Sequence, residues 1–272
     1  MGRAEAPPGT MGGPASPRAV PGAKTRDVQR VLVVKTGTVS PTVRVALGDY
    51  DRWFLRTLAP SRARFRVVEP HLAEPLPGRV SDWDAVIVTG SPHSVTERAA
   101  WIARTGAWLR EAAERRVPVL GVCFGHQLLA WAHGATVRKS PRGRELGTIT
   151  CELSDAGRDD PLFDGVQATF AVQATHEDEV VDAPAALELL ASSGHTANQA
   201  FRVGRFVRAV QFHPEIDVAV MKAILEARIP ALEAEARALG LEPRERVRAL
   251  LAGIRPAPAG PRILENFLAR IA

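Results

Sequence analysis

The chain has 272 residues, 46% of them hydrophobic and 24% charged, the balance of a globular protein with a sizeable core. No apolar run approaches the roughly 20 residues that span a membrane, and the longest, around Val117–Phe124, is broken by Pro118 and Gly121. Two cysteines, Cys123 and Cys151, are too few for a disulfide scaffold, and no Cys/His spacing suggests zinc, so neither a metal nor a cofactor is expected.

The formal net charge of +5 invites a nucleic-acid partner, but only four of the 35 basic residues are lysines. The arginines alternate with acids, as in Arg228, Glu233, Glu235, Arg237, Glu242 and Arg244. That is a mixed, solvated face rather than a phosphate-binding stripe, and neither nucleic acid nor membrane is expected as a partner.

Residues 1–27 carry five prolines and five glycines without apolar periodicity and read as a disordered tail. The tail has no signal-like apolar segment, and Ala6 breaks the myristoylation pattern that Gly2 begins, so a cytoplasmic location is the expectation. Met11 serves equally well as a start.

From Val28 the pattern is α/β. Short β-branched runs at 31–34, 65–68, 85–88 and 117–122 predict buried parallel strands. Between 97 and 115, Trp101, Ile102, Trp108, Leu109 and Ala112 fall on one helical face, and a short helix is predicted over 124–133, ending at Gly134. Strands at 135–138, 148–153, 168–173, 179–181, 187–191 and 206–211 predict antiparallel additions to the sheet. Helices return over 217–272: one through Val218, Met221, Leu225, Ile229 and Leu232 that Pro230 kinks or restarts, one to about Ala252, and a last over 263–271. The expected organisation is the tail, an α/β domain over 28–216, and a helical extension over 217–272 packed on that domain.

Two segments carry chemistry. In Pro118-Val-Leu-Gly-Val-Cys-Phe-Gly-His-Gln-Leu-Leu129 an apolar strand runs through Gly121 to Cys123 and then Gly125, opening an amphipathic helix. This is the pattern of a nucleophile elbow, where small residues flank a protruding nucleophile and the helix N-terminus favours negative charge. Taken alone, the pattern fits a core cysteine beside packing glycines at least as well. The second segment, Arg208-Ala-Val-Gln-Phe-His-Pro-Glu215, ends a strand at His213, with Glu215 two residues on. An imidazole to move the thiol proton and a carboxylate to orient it complete a Cys-His-Glu set with the elbow roughly 90 residues upstream.

Residues 121–127 (Gly-Val-Cys-Phe-Gly-His-Gln) and 211–215 (Gln-Phe-His-Pro-Glu) make the chain resemble the class I glutamine amidotransferases, without departure in either motif. The likeness runs over roughly residues 30–216 and is greatest to free-standing relatives of the GMP synthase glutaminase half, a subgroup suited by Lys35-Thr-Gly-Thr and the 48–54 segment. It implies a flavodoxin-like fold, a mostly parallel central sheet flanked by helices with added antiparallel strands. It implies Cys123 as nucleophile, His213 as general acid/base and Glu215 as its orienting partner. In the segment 86–95 it implies that Gly90 supplies one oxyanion N–H, with Phe124 supplying the other; Ser91 stands where many members have a second glycine. Gln127 is implied as a contact to the substrate's amino-acid end.

Weaker matches lie at 143–147 and 175–180. His176 falls near the implied pocket rim, with a surface-loop histidine an equal alternative. Tyr50, Asp51 and Trp53 border the implied substrate pocket, although Trp53 and Phe54 fit the core of the first helix equally well. Cys151 reads as a strand core residue.

The implied reaction is hydrolysis of the glutamine γ-amide through a γ-glutamyl thioester, releasing glutamate and ammonia. With no G-x-x-x-x-G-K-[ST] loop in the chain, the ammonia acceptor is expected to be a separate synthetase. The alternatives are a free-standing γ-glutamyl peptidase or hydrolase with a wider pocket, and a regulatory, non-catalytic homologue. The related intracellular-protease-like hydrolases commonly place a histidine directly after the nucleophile, where this chain has Phe124.

Overall fold

Runs of β-branched and aliphatic residues alternate with amphipathic segments from Arg30 onward, and the computed structural model, which describes Met1 and residues 29–272, folds them as alternating strands and helices. The expectations for the tail over 1–27, Met1 apart, lie outside the described residues. The first half comprises strand β1 (Arg30–Val34), helices α1 (Pro41–Leu47) and α2 (Tyr50–Thr57), and strands β2 (Arg64–Val68) and β3 (Ala85–Val88). Helix α3 (Ala100–Glu114), strand β4 (Val119–Val122) and helix α4 (Phe124–Ala132) follow.

The strand-rich middle begins with β5 (Thr136–Lys139), β6 (Glu145–Leu153) and a single helical turn, α5 (Asp155–Arg158). It continues through β7 (Thr169–His176), β8 (Asp178–Val181), β9 (Leu187–Ser193), β10 (Ala200–Val203) and β11 (Val207–Val210). Helices α6 (Val218–Ala227), α7 (Ile229–Ala238), α8 (Pro243–Ala252) and α9 (Ala259–Asn266) end the chain, the last running into a π turn over Phe267–Ile271.

Nine strands form one sheet in the order β2-β1-β3-β4-β11-β10-β9-β6-β7. The first five are mutually parallel, and β10, β9, β6 and β7 extend the sheet as antiparallel neighbours. Strands β5 and β8 pair separately. Strand β10 has no counterpart among the predicted elements: its four residues, Ala-Phe-Arg-Val, become a strand by pairing with β9 and β11 on either side. β6 and β7 run longer than their apolar residues suggest, because the ladder carries on through polar residues to Glu145↔His176.

Strand residues alternate between two core layers, the period-2 signature of a sheet covered on both faces. Val31, Ile87 and Leu120 face Phe54 and Leu58 of α2 and Ile263, Leu264 and Phe267 near the C-terminus. Leu32, Val34, Val86 and Val88 face Ile102 and Leu109 of α3 and Leu128 and Leu129 of α4. A third cluster joins Trp53 to Val220, Met221 and Leu225 of α6, so Trp53 is a core residue. Phe54 and Cys151 are likewise buried, and burial pushes the Cys151 thiol well above its ordinary value. Pro230 restarts the helical path: α6 ends before it and α7 carries it in its first turn. No helix among the described residues is long and apolar enough to cross a membrane.

Helix α9 begins at Ala259, ahead of the predicted start, with Pro261 tolerated in the first turn where no intrahelical N–H bond is lost. Its Gly260 lies against the backbone between His213 and Glu215: a Cβ there would stand 2.6 Å from the Pro214 carbonyl oxygen. Gly260→Ala is therefore expected to destabilise the protein by about 1–3 kcal/mol, the usual cost of overpacking, seen as a lower urea midpoint. An unchanged midpoint would refute this close approach.

Candidate active site

At the end of β4 the chain reverses into α4 through Cys123, whose φ of 52° and ψ of −100° are unusual for a residue with a side chain. Such a conformation costs on the order of 1–3 kcal/mol and persists only where the surroundings enforce it. Here the Cys123 N–H donates to the Val210 carbonyl at 2.9 Å, and the Gln127 N–H to the Cys123 carbonyl at 3.0 Å. The flanking glycines make the turn possible. A Cβ on Gly121 would stand 2.5 Å from the Gly125 carbonyl oxygen, and one on Gly125 would stand 2.6 Å from that of Val88. The thiol thereby lines a cavity of about 290 Å³ together with Ser91, Phe124, Gln127, Thr175 and Arg228.

His213 lies three residues beyond β11, the parallel neighbour of β4, so both side chains leave the same end of the sheet. Its N–H donates to the Gln173 carbonyl at 2.8 Å. Its Nδ1 lies 2.8 Å from Glu215 Oε1, with both side chains buried. The remaining nitrogen, Nε2, is buried without a nitrogen or oxygen partner among the described residues, and the Cys123 thiol is the ring's other polar neighbour. Burial on its own lowers the affinity of the ring for a second proton; Glu215 and Cys123 outweigh it and raise the His213 pKa above its ordinary value.

Gly90 packs edge-on to that ring, where a Cβ would stand 2.7 Å from His213 Cε1. The Gly90 carbonyl accepts from Thr36 Oγ1 at 3.1 Å and Thr89 Oγ1 at 2.9 Å, which holds the peptide in place. Phe124 opens α4, where the N–H has no partner within the helix. Tyr50 lies over His213, ring centroids 6.4 Å apart and planes 16° from parallel, and supports the imidazole instead of lining the cavity. Burial, with Cys123 second, raises the Tyr50 hydroxyl pKa, so the phenol is neutral. Asp51 turns away to Lys35, which also meets Asp49 at 3.0 Å and Glu69 at 2.9 Å. Burial works against the Lys35 charge, but these carboxylates raise its pKa, and Asp49 caps α2, the helix that carries Tyr50.

Gln127 points along the cavity floor, its Nε2 donating to the Asp178 carbonyl at 3.2 Å and Gln211 Oε1 at 3.1 Å. His176 is not on a surface loop: it is buried at the end of β7, with Nε2 2.9 Å from Glu145 Oε2 and Nδ1 2.9 Å from the Asp178 carbonyl. Both nitrogens are engaged, so the ring braces the cavity wall. His126, on α4 but facing away, meets Asn198 Oδ1 at 3.2 Å, and burial lowers its pKa to about 3.

The sequence reading missed two cations. Arg228, counted there among solvated arginines, is half-buried between α6 and α7 and lines the cavity, its Nη1 donating to Thr175 Oγ1 at 2.6 Å. Arg144, just before β6, also lines the cavity and pairs with Glu177 and Glu235. Nothing in the local pattern of Arg228 separates it from the surface arginines, and the weak match at 143–147 assigns Arg144 no role; only the contacts of Arg228 with Thr175 and of Arg144 with Glu177 and Glu235 do.

A family model described as glutamine amidotransferase class-I matches residues 47–229. One subunit of the glutamine-hydrolyzing GMP synthase of Saccharolobus solfataricus is 32% identical over 170 residues, 62% of this chain and 85% of that protein. Gamma-glutamyl peptidase 3 of Arabidopsis thaliana is 26% identical over 196 residues, 69% of this chain and 77% of that protein. Among solved structures, a glutamine amidotransferase of Thermotoga maritima superposes with a TM-score of 0.67 at 21% identity, covering 89% of this chain and 97% of that one, which is a likeness of fold. With the family model spanning well over half its length, the chain belongs to the class I glutamine amidotransferases.

Proposed function

We propose that the protein hydrolyses γ-glutamyl amides, with Cys123 as nucleophile, His213 as general acid/base and Glu215 as the group that orients the imidazole. The observation that carries this reading is the His213 ring, tied through Nδ1 to Glu215 and left with Nε2 beside the Cys123 thiol. The Cys123 sulfur adds to the side-chain carbonyl carbon, and the N–H groups of Gly90 and Phe124 receive the oxyanion. As the carbon–nitrogen bond breaks, His213 passes its proton to the departing nitrogen, leaving a γ-glutamyl thioester. His213 then takes a proton from water, which attacks the thioester and releases glutamate and the free thiol. These steps call for no cofactor.

Glutamine is the proposed substrate, with Gln127 at its amino-acid end and the ammonia passed to a separate synthetase. The similar protein from Saccharolobus solfataricus is named as one subunit of a synthase, which supports that arrangement. A second reading, a γ-glutamyl peptidase, is favoured by the further cavity that adjoins the site. A regulatory, non-catalytic role is disfavoured by the complete Cys-His-Glu set.

Cys123→Ala is expected to lower glutamate release from glutamine by about 10³-fold or more, and hydroxylamine added to the wild type should divert the thioester to γ-glutamyl hydroxamate. A Cys123→Ala protein as active as the wild type would end the assignment. A second expectation concerns pH. Because the folded-state pKa of His213 is raised, its contribution to stability is in place below about 6.5, the ordinary histidine value, and is withdrawn as pH rises through the higher folded value. Glu215→Gln removes the carboxylate that raises it, so the decline in urea midpoint from pH 6 to pH 9 should be smaller in that variant; an equal decline would contradict the coupling.

A further inference from the structure

The cavity around Cys123 adjoins a second one of about 270 Å³, and Arg144 and Glu177 line both. The second is walled by Leu146 on the β6 side and by Leu232, Leu239 and Leu250 of the helical segment. Glutamine, whose leaving group is ammonia, would leave that space empty.

Arg228 stands at the cavity wall where the helical segment meets β7. Thr175, which accepts its hydrogen bond at 2.6 Å, has its own carbonyl 4.0 Å from Cys123 Sγ, so the guanidinium is one residue from the thiol. Among the described residues no carboxylate pairs with Arg228, and the one hydrogen bond of its side chain is to a neutral hydroxyl. Neighbouring Arg144, in contrast, is neutralised by Glu177 and Glu235. A half-buried guanidinium without an anion is unfavourable, and its planar fork matches a carboxylate.

The surroundings indicate which half of the substrate it meets. Arg228 lines the Cys123 cavity together with Ala231 of the same helical segment, and the next residue, Leu232, lines the second cavity. With Arg144 and Glu177 common to both linings, Arg228 stands on the side where the two cavities meet, the space that a leaving group larger than ammonia would enter. Gln127, Ser94 and Asp178, which line the Cys123 cavity but not the second one, are joined by the hydrogen bonds Gln127 Nε2 to the Asp178 carbonyl and Ser94 Oγ to Asp178 Oδ2.

We propose that Arg228 binds a carboxylate carried by the amine half of the substrate, so that the site accepts γ-glutamyl amino acids and short γ-glutamyl peptides with a free C-terminal carboxylate. This rests on the γ-glutamyl amide chemistry proposed above and specifies its leaving group. The bond broken is the γ-amide, its nitrogen leaving with the proton from His213, and the released amino acid or peptide passes into the second cavity. Arg228 is here a specificity-determining residue and takes no part in the proton transfers.

The test compares γ-glutamyl-alanine with γ-glutamyl-alaninamide, and both with glutamine, in the wild type, Arg228→Met and Arg228→Lys. The wild type is expected to favour the free acid over the amide by about tenfold or more in kcat/KM, chiefly through KM. Arg228→Met should bring that ratio close to one, with Arg228→Lys in between. A wild-type ratio near one, or a ratio unchanged in Arg228→Met, overturns the proposal. So does an equal loss on acid and amide, which would assign Arg228 to the γ-glutamyl half or to folding; unfolding midpoints of the two variants separate those cases. Hydrolysis of glutamine with neither peptide cleaved overturns the carboxylate site and leaves the Cys-His-Glu reading standing. Failure to hydrolyse any of the three overturns both.

Discussion

Cys123 is held at φ 52° by a strand that cannot continue and a helix that has to start at once. Gly121 and Gly125 permit the close crossing of β4 and α4, and the carbonyl of Val210 on β11 receives the Cys123 N–H. The same constraint sets the rest of the site. Because β4 and β11 pair in parallel, with Val122 opposite Val210, the residues that follow each strand emerge side by side. A separation of roughly 90 residues in the chain is closed by one ladder of hydrogen bonds, which brings His213 to the same end of the sheet as the thiol.

His213 is then immobilised from several directions. Its backbone bridges to Gln173 on β7, its ring meets Glu215, Tyr50 and the open face of Gly90, and Gly260 of α9 presses on Pro214 beneath it. Gln173 is itself tied to the C-terminal segment through Nε2 to the Arg255 carbonyl at 2.9 Å. The helical segment after Glu215 therefore supports the site from below through α9 and the Arg255 linker, and from the side through Arg228.

Three buried histidines show how environment decides chemistry. His126 has a neutral amide as its main polar partner, and burial drives its pKa down. His176 has both nitrogens taken by Glu145 and the Asp178 carbonyl. Only His213 combines a carboxylate on one nitrogen with a free position on the other, next to sulfur. A ring so placed can both accept and return a proton, which is what the proposed acid/base role requires.

The sequence by itself determined the parallel strands, the elbow around Cys123 and the His-Pro-Glu segment, because each is a local pattern: buried β-branched runs, glycines two residues either side of a cysteine, and a proline between two polar residues. Tyr50 and His176 were legible as neighbours of the site, but their roles were not. One supports the imidazole face and the other is locked in a wall, since ring stacking and hydrogen-bond occupancy depend on what other elements bring alongside. Strand β10 and the unpaired Arg228 were decided by tertiary structure alone. A four-residue strand exists only through its two neighbours. An arginine on a mixed-charge helical segment becomes a pocket residue only when that segment packs against β7, and no periodicity in the chain records which of its many arginines that will be.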